Sequence, residues 1–342
     1  MNRQRLEYID FAKGFAILSI VIFHYCQPYA SGIWAKAIML GGTGVHLFLF
    51  LSGFGLGLSS QTVEVCSFYK KRFAKILLPY YLTVITLYLL NPFYLFYEGN
   101  SIYALGGHLL LYKMFDEEII TSFGYHFWFI STIVQFYIVF PSIVGLKKKS
   151  ELRCFIAASL FISLVYWIVV NIFSLSDRRV FTSFFFYYLW EFCLGVAAAD
   201  LYANKGVEFW KKNIIFFAFL SVLGISVMGV MAVRGGQMGQ IFNDIPGFTG
   251  YLSLSILVYF ICGNVHSFVK EIVLFVGSLS YELYLIHGLV FELVNNFLRR
   301  GIGVDINIIS SLFFVLPVSI FAAYFFMKVN QFIHKKLAPK LT

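Results

Sequence analysis

The stretch Tyr8–Gln27, YIDFAKGFAILSIVIFHYCQ, is apolar over the roughly 20 residues that one helix needs to cross a bilayer. It nevertheless contains Asp10, Lys13 and His24. An ionisable side chain is costly in hydrocarbon, so a histidine at membrane depth is a hypothesis for a functional site. Lys13 and His24 fall on nearly the same helix face, about 16 Å apart along the axis, and Asp10 is one turn from Lys13. The alternative is that His24 only hydrogen-bonds across a helix interface.

The rest of the chain is built in the same way. With 60% hydrophobic and 13% charged residues, it cannot be a soluble domain, in which about a quarter of residues are charged. We therefore predict an all-α, polytopic membrane protein with about ten transmembrane helices. The predicted spans are 8–27, 41–60, 76–97, 125–146, 153–173, 181–202, 213–233, 247–263, 272–297 and 305–329.

Charge placement indicates the orientation, because cytoplasmic loops carry excess Lys and Arg. With ten spans, the extracytoplasmic side receives only Lys36, Lys113, Arg178, Arg179, Arg234, Arg299 and Arg300, and the remainder of the 26 basic residues is cytoplasmic. We therefore expect cytoplasmic N and C termini. The net charge of +9 is then explained by orientation and anionic lipid, so no nucleic-acid partner is expected.

Two further groups of residues are candidates for a site. Arg72 and Lys75 lie three apart just before the third span, and on one helix face they could hold an anionic, phosphorylated ligand; orientation charge is the alternative. His287 and Tyr284 share a face of the ninth span, and His126 begins the fourth, so these three are candidates for substrate contact or for core hydrogen bonding. The segment 98–124 is a candidate lid or acceptor-contacting loop. The five scattered cysteines form no C-x-x-C pair, and no metal is expected.

Six ordered segments resemble acyltransferase family 3, the integral membrane acyltransferases that modify surface sugars. They are RLEYIDFAKGFAILSIVIFHY with Lys13 and His24, GGTGVHLFLFLSGFGLG, FYKKRFAKILLPYY with Arg72 and Lys75, WFISTIVQFYIVFP, WEFCLG with Glu191, and SYELYLIHGLV with Tyr284 and His287. The resemblance covers nearly the whole chain. It implies one transmembrane acyltransferase domain over 1–342. Since the last span ends about a dozen residues before the final residue, no attached extracytoplasmic domain is expected.

The resemblance also implies a reaction. An acyl group, expected to be acetyl, would pass from cytoplasmic acyl-CoA to a hydroxyl of a surface polysaccharide or glycolipid sugar. Arg72, Lys75 and Lys13 would contact the donor. His24 would act as base or carry the acyl group, and Asp10 would orient Lys13. The expected location is the cell membrane, which is the cytoplasmic membrane if the source is bacterial.

This sequence departs from the family pattern at several positions. Lys75 stands where the basic motif has Arg, which keeps the charge but loses bidentate phosphate contact. Many members have acidic residues at the places of Ile133 and Val134, and Asp at the place of His46. The main alternative function is a transporter or flippase for lipid-linked saccharides, although the chain shows no internal repeat. A non-catalytic scaffold for a polysaccharide synthase is a second alternative.

Overall fold

The computed structural model describes residues 7–59, 64–205, 208–236, 239, 242–265 and 267–341. These residues form helices, turns and loops, with no strand among them. Within the same residues, nine helical segments are long and apolar enough to cross a membrane, and a bent helix pair makes a tenth. The prediction of an all-α membrane protein with about ten spans is therefore confirmed. Contacts between residues divide the described chain into two compact units.

The first unit comprises the described parts of 1–62, 142–176 and 186–280. Its complete helices are α1 (Glu7–Cys26), α2 (Gly32–Ile38), α3 (Gly44–Ser59), α7 (Leu152–Ile172), α9 (Leu189–Lys205), α10 (Glu208–Lys212), α11 (Ile214–Arg234), α12 (Asp244–Val265) and α13 (Ser267–Ser278). α1 packs on α3 and α13, α3 on α9, and α11 on α12. Glycines at these crossings let the helix backbones approach closely, as is usual in a membrane.

The second unit comprises the described parts of 63–141, 177–185 and 281–342. Its helices are α4 (Val65–Tyr94), α5 (Ser101–Leu109), the first part of α6 (Trp128–Lys149), α8 (Arg179–Thr182), most of α14 (Ser280–Phe297), α15 (Ile308–Ser310) and α16 (Leu316–Leu341). Short 3₁₀-helical turns lie at Tyr112–Phe115 and Tyr125–Phe127, and a π-helical turn lies at Leu298–Ile302. α4 packs on α5 and α16.

The ninth span differs from its prediction as one helix over 272–297. It consists of α13 and a second helical segment, Ser280–Ile302, which meet at an angle of 81°. The break follows Gly277 and Ser278, and a glycine–serine pair is a recognised cause of helix kinks. At this break the Ser278 hydroxyl also donates a hydrogen bond to the Phe275 carbonyl oxygen. Hydropathy could not reveal the bend, because an average over a window of residues carries no information on helix direction.

Candidate active site

The ionisable residues of α1 lie as the sequence predicts. Lys13 Nζ is 4.0 Å from Asp10 Oδ1, and Asp10 is buried while Lys13 is half-buried. His24 occupies the last turn of α1, half-buried, with the Phe23 ring packed edge-to-face 5.0 Å from its own. The predicted pair of Asp10 and Lys13 is therefore confirmed. A basic group near one end of α1 and an imidazole near the other share a single rigid element.

α1 is held in place by backbone contact with α13. A Cβ atom on Gly14 would come within 1.9 Å of the Val273 carbonyl oxygen, and one on Gly277 within 1.8 Å of the Asp10 carbonyl oxygen. Only glycine at both positions permits this approach. The contact fixes the turn of α1 that carries Asp10 and Lys13, so their position depends on two residues without side chains.

The second unit brings the other predicted substrate residues together. The rings of His126 and His287 lie 4.5 Å apart, and the His126 ring lies 5.4 Å from that of Tyr284. All three residues are buried. The Tyr284 hydroxyl donates a hydrogen bond to the His126 carbonyl oxygen. Tyr284 and His287 both face His126, which agrees with the prediction that they share a helix face.

The ring of His287 is oriented by its own helix. Its Nδ1 lies 2.8 Å from the Tyr284 carbonyl oxygen and 3.2 Å from that of Leu283. Two carbonyl acceptors select the tautomer in which Nδ1 carries the proton, so Nε2 keeps the basic lone pair. Next to it, Gly288 leaves room for the neighbouring imidazole: a Cβ there would lie 3.2 Å from His126 Cε1.

The basic pair Arg72 and Lys75 lies within α4, which begins at Val65. The early start places both residues on successive turns of one helix, which is the condition for a shared face. The Arg72 guanidinium lies 6.0 Å from the centre of the Phe68 ring, and Lys75 is exposed. Glu282 lies within electrostatic range of Lys75, so Arg72 is the stronger candidate of the pair for an anionic ligand.

A buried polar network underlies the segment 98–124, and sequence reasoning missed it. Lys113 Nζ donates hydrogen bonds to the carbonyl oxygens of Ile120 and Phe127, at 3.1 and 2.9 Å. The His108 ring bridges the Tyr80 hydroxyl, 2.6 Å from Nδ1, and the Ser122 hydroxyl, 2.8 Å from Nε2. Burial lowers the pKa of Lys113 to about 7. Burial, together with the nearby Lys113, lowers the pKa of His108 well below its ordinary range.

This network explains how His126 is placed. Its own carbonyl oxygen accepts from Tyr284, and the next carbonyl, of Phe127, accepts from Lys113. Two side chains thus hold the short turn Tyr125–Phe127 at the start of α6. The only sequence signal was an ionisable residue within an otherwise apolar run, LLLYKMF. The charge count places Lys113 on the extracytoplasmic side, and the structure adds that this lysine has no exposed surface.

Comparisons with known proteins agree with one another. The family described as an acyltransferase domain, acyltransferase family 3, matches residues 6–328. The chain is 27% identical over 296 residues to an acetyltransferase, ORF330, of Acidianus two-tailed virus, covering 82% of each protein. It is 25% identical over 355 aligned positions to the O-acetyltransferase OatA of Staphylococcus aureus, covering 92% of this chain and 55% of OatA. The chain therefore spans about half of the length of OatA. No solved structure matches.

Proposed function

Because this chain belongs to acyltransferase family 3 and is a membrane O-acetyltransferase-like enzyme, we propose that it acetylates a surface saccharide. The donor is cytoplasmic acetyl-CoA, and the acceptor is a hydroxyl group of a polysaccharide or glycolipid sugar. We further propose that both termini are cytoplasmic and that the protein resides in the cell membrane. The donor then comes from one side of the bilayer and the acceptor from the other.

The observation that carries this proposal is the arrangement on α1. The Asp10–Lys13 pair and His24 lie on one helix, about 16 Å apart along its axis. That distance is a large part of the roughly 30 Å hydrocarbon core. A single helix thus offers a cationic contact toward the cytoplasmic end and a base toward the opposite end, which suits a reaction between reactants that come from opposite sides of the bilayer.

The donor contacts are Arg72, Lys75 and Lys13. Acetyl-CoA carries its negative charge on phosphate groups, and guanidinium forms strong, charge-assisted hydrogen bonds with phosphate. Arg72, on the first turns of α4, is half-buried against Phe68, so part of its ordering cost is already met before the ligand arrives. Asp10 limits the freedom of the Lys13 side chain and keeps its ammonium group on the face of α1 that also carries His24.

His24 is the catalytic base in this proposal. A neutral imidazole nitrogen of His24 takes the proton of the acceptor hydroxyl as the oxygen attacks the thioester carbonyl carbon. The new ester C–O bond forms, the C–S bond breaks, and the CoA sulfur leaves as a thiolate that recovers the proton from His24. Alternatively, His24 itself accepts the acetyl group first and passes it to the sugar oxygen in a second step.

The acceptor contacts are His126, Tyr284 and His287. In this cluster, the His287 Nδ1–H is committed to backbone carbonyls, which makes Nε2 the acceptor atom of the ring. Neutral imidazoles and a phenol recognise a hydroxylated ligand without the cost of burying a charge. The guanidinium of Arg179 lies 4.9 Å from the centre of the Tyr125 ring and 4.3 Å from that of the Trp128 ring. These two aromatic side chains are of the kind that packs against sugar rings.

The test uses isolated membranes that contain the full chain, radiolabelled acetyl-CoA and a panel of surface glycans. We expect labelled, base-labile ester in wild-type membranes and its loss in His24→Ala at unchanged protein abundance. His334→Ala, the same substitution at another histidine, should keep normal turnover. Near-normal turnover in His24→Ala would refute the assignment of His24 as the catalytic base. Saccharide movement without consumption of acetyl-CoA by the wild type would instead favour the transporter.

A further inference from the structure

A second ionisable cluster lies in the first unit, and the proposed reaction does not use it. It consists of His46, Glu191 and Asp244, which belong to the first turns of α3, α9 and α12. His46 Nδ1 lies 2.7 Å from Glu191 Oε1, and His46 Nε2 lies 3.8 Å from Asp244 Oδ1. One nitrogen or oxygen atom from each of the three residues lies within 4.8 Å of the others.

Helix packing forces this cluster together. α3 and α9 touch through their backbones: a Cβ on Gly53 would come within 2.1 Å of the Phe192 carbonyl oxygen, and one on Gly195 within 2.1 Å of that of Phe50. Phe192 directly follows Glu191 in the sequence. The close crossing therefore presses the Glu191 carboxylate toward α3, and the cluster geometry is imposed by the fold rather than by flexible side chains.

The cluster has more negative charge than it can neutralise alone. Two carboxylates face one imidazole, which carries at most one positive charge. Glu191 has no exposed surface and Asp244 has 9%. Glu191 Oε2 and Asp244 Oδ2 are buried without a hydrogen-bond partner. In the part of the chain that the structure describes, no lysine or arginine forms an ion pair with either carboxylate. Buried carboxylates in such a setting need a cation or a proton.

The helix ends favour ionised carboxylates over protonated ones. The positive end of a helix dipole stabilises ionised carboxylates in its first turn, and here three helices of at least 16 residues begin around the cluster. Ionised carboxylate is the form that ligates a metal ion. Ligands about 2.1 Å from one ion lie at most about 4.2 Å apart, so a small rotamer movement closes the observed set.

We propose that His46, Glu191 and Asp244 bind one divalent cation, with Zn²⁺ preferred over Mn²⁺. The preference follows from the ligand set, because imidazole suits Zn²⁺, whereas an all-oxygen set suits Mn²⁺, Mg²⁺ or Ca²⁺. The ion joins the first turns of α3, α9 and α12, and α3 packs on the helix that carries His24. Its role is to fix that end of the unit. The proposal does not depend on the acetyl-transfer reaction.

The experiment uses the purified full chain in detergent, stripped with a chelator, reloaded with Zn²⁺ and desalted. We expect one Zn²⁺ per chain in the wild type and at least tenfold less in Glu191→Gln and Asp244→Asn. Asp200→Asn is the matched control, because Asp200 lies on the same helix as Glu191 but pairs with Lys147 at 2.6 Å. This control should bind like the wild type. Equal Zn²⁺ content in wild type, Glu191→Gln and Asp200→Asn would overturn the site.

A second variant keeps the test decisive if Glu191→Gln does not fold. His46→Asp replaces the nitrogen ligand with oxygen and keeps three ligands. It should move the preference from Zn²⁺ toward Mn²⁺ by at least tenfold in competition. It should also abolish the nitrogen coupling that we expect in the electron paramagnetic resonance spectrum of Mn²⁺ bound to the wild type. An unchanged preference would overturn His46 as a ligand, and a wild-type protein that binds neither ion would show that protons rather than a metal balance these carboxylates.

Discussion

Replacing Lys113 with methionine tests how the buried amine supports the start of α6. Lys113 has no exposed surface, and its Nζ donates to the carbonyl oxygens of Ile120 and Phe127. Methionine has a similar length but no donor. Each buried carbonyl left without a partner costs about 1–3 kcal/mol, so Lys113→Met should lose about 2–6 kcal/mol where both bonds are fully formed.

The size of that loss should depend on pH. Burial lowers the pKa of Lys113 from 10.5 to about 7 in the folded protein, whereas the unfolded chain keeps a value near 10.4. Between these values the unfolded state binds the proton and the folded state does not. Wild-type stability therefore rises with pH across this window, by about 1.4 kcal/mol per pH unit. Lys113→Met has no such group, so its deficit should grow by about 2–3 kcal/mol from pH 7 to pH 9.

The assay is thermal unfolding in detergent, followed by intrinsic fluorescence at pH 7, 8 and 9. The difference in Tm between wild type and Lys113→Met should widen steadily with pH. Lys148→Met, which removes an exposed lysine, should show a small and constant difference. A Lys113→Met deficit of equal size at all three pH values would refute the reasoning, because it would mean that the amine stays charged in the folded protein.

The remaining predictions concern the helix crossing and the two ligand groups. Gly277→Ala should lower Tm and acetyl transfer together, since its Cβ would meet a carbonyl oxygen of α1 at 1.8 Å, whereas Gly55→Ala, with no atom within 4 Å, should leave both unchanged. Arg72→Ala should raise the KM for acetyl-CoA about 10-fold, or about 1.4 kcal/mol, in initial-rate assays with little change in kcat, and Arg72→Lys should lie between. Tyr284→Phe leaves the carbonyl oxygen of His126 without its donor. It should therefore raise the KM for the acceptor more than that for the donor in the same assay.

The membrane spans and the shared helix face of Asp10, Lys13 and His24 could be predicted from the sequence, because both depend on local properties. Hydropathy over about 20 residues identifies a membrane helix, and helical periodicity alone places Lys13, His24 and Asp10 on one side. The pairing of Arg72 and Lys75 on one helix face required only that α4 begin early, which it does at Val65. None of these features depends on a contact between distant parts of the chain.

Lys113 and Asp244 could not be found in this way, because their surroundings come from distant residues or from the path of a loop. The carbonyls that hold Lys113 lie 7 and 14 positions along the chain, and only the turn before α6 brings them inward. Asp244 acquires His46 as a neighbour because α3 and α12 pack together. A count of charged residues treats Lys113 and Asp244 as solvated, although both are buried among partners that the count does not include.

The histidines show most clearly what local patterns leave undecided. A sequence gives a histidine its depth in the membrane, but its chemistry depends on which ring nitrogen carries the proton. In His287, backbone carbonyls of the preceding turn settle that question. In His46, a carboxylate from another helix lies within hydrogen-bond distance of Nδ1, and in the proposed metal site it binds the same ion as the ring. The roles of these histidines are therefore better separated by substituting their partners than by substituting the histidines themselves. The partner of His46 is Glu191, and the partner of His126 is Tyr284. In such variants the imidazole ring stays while its environment changes.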